Sequence, residues 1–153
     1  MSQSTLQSSA VDSQKLADNG LEKEGSEKKG LEDELLALCQ QGIAIWQSAF
    51  NQQDAAGCAA QYTQDSVMDA RPFGTFKGRD EIQTFWQGIM DQGYSEVAYS
   101  DVKWEKADGR GFLLTSSWTM NKAFGVVHKE HWVVEADGKA RLLSDDFEIQ
   151  GER

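Results

Sequence analysis

A change of period near Gly93 constrains this chain more than any other feature. Before it, apolar residues recur at helical spacing. After it, apolar and polar residues alternate in pairs of segments joined by tight-turn dipeptides. Helices repeat every 3.6 residues and strands every two, so the chain is read as helices first and a strand meander after them.

The helical half begins at Leu31. Leu31, Leu35, Leu38, Cys39, Ile45, Trp46, Ala49 and Phe50 recur at helix spacing, which predicts a long first helix ending near Asn51. Gly42 lies inside it, at a cost of about 1 kcal/mol against alanine, and marks a place where another element packs closely. Asp54 is a good N-cap for a short second helix carrying Ala55, Cys58, Ala59 and Tyr62. Residues 66–78 read as two short strands joined by a turn at Pro72, since proline cannot sit in a central strand. Ile82, Phe85, Trp86, Ile89 and Met90 form the apolar stripe of a third helix, with Asp80 and Glu81 at its positive end. Residues 94–106, 111–122, 126–135 and 141–150 then read as strands. Asp108-Gly109 and Asp137-Gly138 supply hairpin turns between two of the pairs. Helices segregated from consecutive antiparallel strands define an α+β domain over residues 31–153. Residues 1–30 are rich in Ser, Gln, Glu, Lys and Gly and hold no aromatic. They read as a disordered N-terminal tail.

Composition narrows the function. The 153 residues suffice for one core, and 39% are hydrophobic, with five Trp and seven Phe. Asp and Glu number 25 against 15 Lys and Arg, a formal charge of −10. Nucleic-acid binding needs a basic footprint, and the longest basic run is Lys28-Lys29, flanked by acids. The same acidity disfavours anionic membrane surfaces. No apolar run long enough for a signal peptide or membrane span is present, which places the protein in the cytoplasm by default. Cys39 and Cys58 form no ligand motif and read as small buried hydrophobes. His128 and His131 fall on opposite strand faces and cannot share an ion, so no metal site is expected.

Strand alternation then sorts the polar residues. His128, Glu130 and Trp132 share one face. Leu143, Asp145, Phe147 and Ile149 share another, opposite Leu142, Ser144, Asp146 and Glu148. Phe112, Leu114, Ser116, Trp118 and Met120 form a bulky face, and Val67, Asp69 and Arg71 point one way. Bulky faces meet the helices, which puts Glu130 and Asp145, with His128 and Asp69, among large apolar side chains. A carboxyl in such a place is costly, is pushed toward its neutral form, and is a candidate for acid/base chemistry. Asp69, Glu130 and His128 are the catalytic candidates. Tyr62, Arg71, Phe85, Trp118, Trp132, Asp145 and Phe147 are candidates to line the pocket. Plainer readings stand beside these: an Asp69–Arg71 ion pair at the rim, a Glu130–His128 polar pair, Asp145 at a hairpin end, and the aromatics as core.

The element order, with Phe50-Asn-Gln-Gln-Asp54, Tyr62-Thr-Gln-Asp-Ser-Val-Met-Asp69, Gly74-Thr-Phe-Lys-Gly-Arg-Asp-Glu-Ile82 and Phe85-Trp86, resembles the nuclear transport factor 2-like superfamily. That superfamily includes ketosteroid isomerases and SnoaL-like polyketide cyclases. The resemblance covers residues 31–151. It implies a cystatin-like α+β barrel: a cone-shaped, curved antiparallel sheet of about six strands on three N-terminal helices, with a pocket at its open end. It also implies that Asp69 stands where ketosteroid isomerase has its proton-shuttling aspartate, and Glu130 where it has a protonated acid holding the oxyanion. The tyrosine partner falls at Ile45, which has no hydroxyl. The expected function is a cofactor-free isomerase, lyase or cyclase acting on a small, largely apolar carbonyl compound. The alternative is a ligand-binding or association module without chemistry. Either reading predicts a homodimer through the outer sheet face, which bears Leu113, Thr115, Ser117, Thr119, His131 and Val133.

Overall fold

The structure, a computed structural model, describes residues 20–153, with side chains from residue 25 onward. The expected tail therefore lies outside the described residues as far as residue 19. Its last part does not stay irregular: helix α1 spans Gly20–Asn51, starting well before Leu31. Its first turns are rich in Glu and Lys, good helix formers that need no apolar face. The compact unit carrying the sheet begins at Leu35.

Within that unit, α1 buries Leu35, Cys39, Trp46 and Phe50 on one stripe. Gly42 lies on the same stripe. A Cβ there would come within 2.7 Å of Trp132 Cζ3, so the glycine lets the Trp132 ring rest against the helix backbone. Ile45 falls off the stripe and is 46% exposed. Helix α2, Ala55–Ala60, is capped by Asp54, whose Oδ1 accepts from the Gly57 amide at 2.9 Å. Helix α3, Gly78–Asp91, buries Ile82, Trp86, Ile89 and Met90, and Glu81 accepts from the Lys77 amide at its N-terminus.

The strands are β1 (Tyr62–Arg71), β2 (Gly74–Lys77), β3 (Ala98–Lys106), β4 (Gly111–Thr119), β5 (Ala123–Val134) and β6 (Ala140–Glu152). They form one six-stranded sheet in the order β2-β1-β6-β5-β4-β3. The sheet is mixed rather than wholly antiparallel. The meander's last strand, β6, returns beside β1 and runs parallel to it, placing Met68 opposite Asp145 and Ala70 opposite Phe147.

Alternation along the sheet is broken in ways that decide the site. In β5, Val127 pairs with Phe147 but Lys129 pairs with Asp146, so His128 is an extra residue in a β-bulge. In β6, Trp132 pairs with Leu142 but His131 pairs with Ser144, so Leu143 is extra too. Each bulge reverses the phase of everything beyond it. Leu142 is consequently buried and Leu143 is 43% exposed, the opposite of the strict alternation.

Candidate functional site

Glu130 and Asp145 face each other across β5 and β6 as direct register partners, which sets their Cβ atoms about 5 Å apart. Both are buried, at 6% and 4% exposure. They line one hollow with Trp46, Trp86, Trp118 and Phe147, and with Val97, Tyr99, Met120 and Val127. The cavity there has a volume of ≈ 310 Å³ including its open mouth, and its enclosed part holds about one water. A larger guest must part the aromatic walls.

The two acids are held differently. Tyr62, wholly buried, donates from its hydroxyl to Asp145 Oδ2 at 2.8 Å, and accepts from the Trp86 indole N–H at 3.2 Å. Asp145 Oδ1 has no partner among the described residues. Trp132 donates its indole N–H to Glu130 Oε1 at 2.8 Å. Burial pushes Asp145 up to about 7, against the lowering effect of the Tyr62 hydrogen bond. Burial, and then repulsion from Asp145, push Glu130 well above the carboxylate range, with the Trp132 bond opposing. Two interacting carboxyls in one site share their titration, so burial and mutual repulsion keep a proton on the pair into the neutral range. The Tyr99 phenol on the same hollow is pushed up by burial and then by these two acids.

Of the sequence candidates, Glu130, Asp145, Trp118 and Phe147 converge on the hollow. Tyr62 and Trp132 sit one layer behind it and orient the two acids. Phe85 is further back, packed between Phe76, Phe73 and Trp86 with ring centroids 4.7, 5.5 and 5.0 Å away. Three candidates are corrected. Asp69 projects to the outer sheet face, where it accepts from Thr75 Oγ1 at 2.6 Å, because Met68 and Ala70, not Val67 and Asp69, hold the inner phase of β1. Arg71 shares that outer phase and pairs with Asp146 at 2.8 Å rather than with Asp69. His128 is turned outward by its bulge and meets Glu148 at 2.8 Å, leaving Glu130 without it. Trp46, Trp86, Val97, Tyr99, Met120 and Val127 were not among the candidates. Tyr99 had a usable signal: it lies opposite Trp118, whose inner face was assigned.

Among the described residues no group of three or more His, Cys, Asp and Glu could hold a metal ion. No helix among them is long and apolar enough to cross a membrane.

Helices laid on one curved six-stranded sheet are the architecture of the nuclear transport factor 2-like class. Residues 44–143 match the family model of the SnoaL-like domain, and the chain belongs to that family. Solved structures share the fold. A ketosteroid isomerase-like protein from Erwinia carotovora atroseptica is 17% identical with a TM-score of 0.64, over 74% of this chain and 95% of that one. ActVI-ORFA of Streptomyces coelicolor is 17% identical with a TM-score of 0.64, over 76% and 97%. A cystatin-like-fold protein from Nostoc punctiforme is 16% identical with a TM-score of 0.63, over 72% and 87%. At these identities the likeness establishes the fold alone. No curated protein matches the chain by sequence.

Proposed function

We propose that this protein binds a small, largely apolar carbonyl compound and moves a proton on it without a cofactor, as an isomerase, lyase or cyclase. One observation carries the reading. Asp145 is buried, gripped through one oxygen by Tyr62 and bare at the other, directly across the sheet from a buried Glu130, and burial raises both carboxyls. A base works best when its pKa lies near the working pH. A neutral acid beside it can donate a hydrogen bond to an oxygen that gains charge.

In this mechanism Asp145 takes a proton from the carbon next to the carbonyl. The C–H electron pair moves into a new C=C bond, and the carbonyl electrons move onto oxygen, where Glu130 donates its hydrogen bond. Returning the proton from Asp145 to a different carbon of the conjugated system isomerises the compound. Expelling a β-hydroxyl as water with that proton re-forms the carbonyl and makes the enzyme a lyase, and attack of the enolate carbon on a second carbonyl closes a ring whose alkoxide takes the proton. Membership of the SnoaL-like family and the fold shared with a ketosteroid isomerase-like protein are consistent with this chemistry.

The test is exchange of α-protons of small cyclic ketones such as 2-indanone in D₂O, followed by NMR. Wild-type protein is expected to accelerate exchange, and Asp145→Asn to lose about 10²–10⁴-fold of that acceleration. If no ketone in a panel exchanges faster with protein, and ligands that raise the melting temperature do so equally in Asp145→Asn, the protein is a binding module.

Self-association through the outer sheet face is the second part of the proposal. That face carries half-buried Leu113 and Val133, and the β6 bulge turns Leu143 out onto it. Sedimentation at micromolar concentration is expected to give a dimer that Leu143→Glu weakens. A monomeric wild type would overturn this part.

A further inference from the structure

Among the described residues, six buried side-chain nitrogen or oxygen atoms lack a hydrogen-bond partner, and three belong to walls of the one hollow: Trp46 Nε1, Trp118 Nε1 and Asp145 Oδ1. Their residues are 5%, 4% and 4% exposed. Buried polar groups are ordinarily paired, and a bare one is costly. The Trp132 indole in the layer behind is satisfied by Glu130, and Trp86, the third indole on the hollow, is satisfied by Tyr62. Unpaired donors are concentrated where a guest would sit.

The local packing orients both indoles. Trp46 stacks on Phe50 at 5.4 Å and meets Trp86 edge-on at 5.1 Å, so its N–H direction is preset. Trp118 packs the Cζ2–Cε2 edge of its ring against the Gly125 backbone, where a Cβ would lie 2.6 and 2.9 Å from those two atoms, and its Nε1 is still left without a partner. The charge pattern adds a second constraint. The hollow's walls hold two carboxyls and no Lys, Arg or His. An anionic guest would be stripped of water with nothing to balance it.

We infer that the indole N–H groups of Trp46 and Trp118 are the donors that hold an oxygen of the bound molecule, while Asp145 Oδ1 accepts from its hydroxyl or acidic C–H, so that the hollow selects an uncharged oxygen-bearing compound over a carboxylate. The inference deepens the proton-transfer reading by naming the groups that hold the oxygen, but it concerns binding and is tested without turnover.

Three probes of similar size separate the terms: phenol, toluene and benzoate, titrated by NMR into the full chain at pH 7. Wild type is expected to bind phenol about tenfold more tightly than toluene, the worth of one to two buried hydrogen bonds, and to bind benzoate more weakly than either. Trp46→Phe and Trp118→Phe keep a ring but remove the N–H and are each expected to shrink the phenol-to-toluene ratio, in which the added room, common to both guests, cancels. Raman bands of the indole N–H in wild type are expected to shift on phenol addition and not on toluene addition. Equal binding of phenol and toluene by wild type, no phenol binding at millimolar concentration, or a ratio unchanged in both variants overturns the inference. Benzoate binding as well as phenol overturns the charge selection. Failure of ketone exchange with these ratios intact counts against the catalytic reading only.

Discussion

Asp145→Asn should unfold at a higher temperature than wild type at pH 8.5, with the advantage shrinking as the pH falls to 5. Asp145 is held up to about 7 in the fold by burial, whereas an unfolded aspartate ionises near 3.9. The folded chain therefore binds the proton more tightly than the unfolded chain. That stabilisation is complete below about pH 4 and is lost as the pH rises through 7. Above 7 the fold carries a buried carboxylate whose Oδ1 has no partner. Asparagine keeps the shape and an oxygen for Tyr62 but cannot ionise. The shift implies a gain of a few kcal/mol at high pH, part of it shared with Glu130 because the two acids interact. A variant that is both more stable and less active is the signature of a site kept for function at the expense of stability. Melting curves of both proteins from pH 5 to 8.5 check this; parallel curves across the range would sink it.

Gly125→Ala is expected to destabilise the fold by about 3 kcal/mol or more. A methyl at this position would collide with the Glu148 carbonyl oxygen of the neighbouring strand and lie 2.6 Å from Trp118 Cζ2. The first obstacle is backbone in a paired strand and the second is a Trp that is 4% exposed, so neither yields cheaply. Gly88→Ala, where no atom would lie within 4 Å of the new methyl, should be neutral or slightly stabilising. Urea unfolding of the three proteins measures the difference. A Gly125→Ala protein as stable as wild type would show that β5 and β6 can part where Gly125 meets Glu148.

How much of the site was legible in the sequence depended on the strand. Glu130 stands two residues from Trp132, and Asp145 two from Phe147, with no extra residue inserted in its own strand between either pair. Two-residue spacing to a large ring was enough to put each acid inside. His128 is likewise two residues from Glu130, but the bulge at His128 breaks that relation. In β1, Val67 and Met68 are both apolar and Asp69 and Ala70 are both small, so the pattern does not state which phase faces the helices. The parallel pairing with β6 settles it by bringing Met68 beside Asp145. The early start of α1 was hidden for another reason. A helix made of Glu, Lys and Gly has no apolar stripe to announce it.

Local chemistry, written residue by residue, determined the element types and their order: apolar spacing made α1 and α3, Asp54 capped α2, and Asp-Gly pairs turned two of the hairpins. These depend on interactions within a few residues, and the order of residues carries them fully. Which acids meet, which indoles are left bare and which histidine is turned away were decided only by tertiary structure. A single extra residue in one strand flips every side chain beyond it, and its position is set by the fit to the strand alongside, distant in the chain.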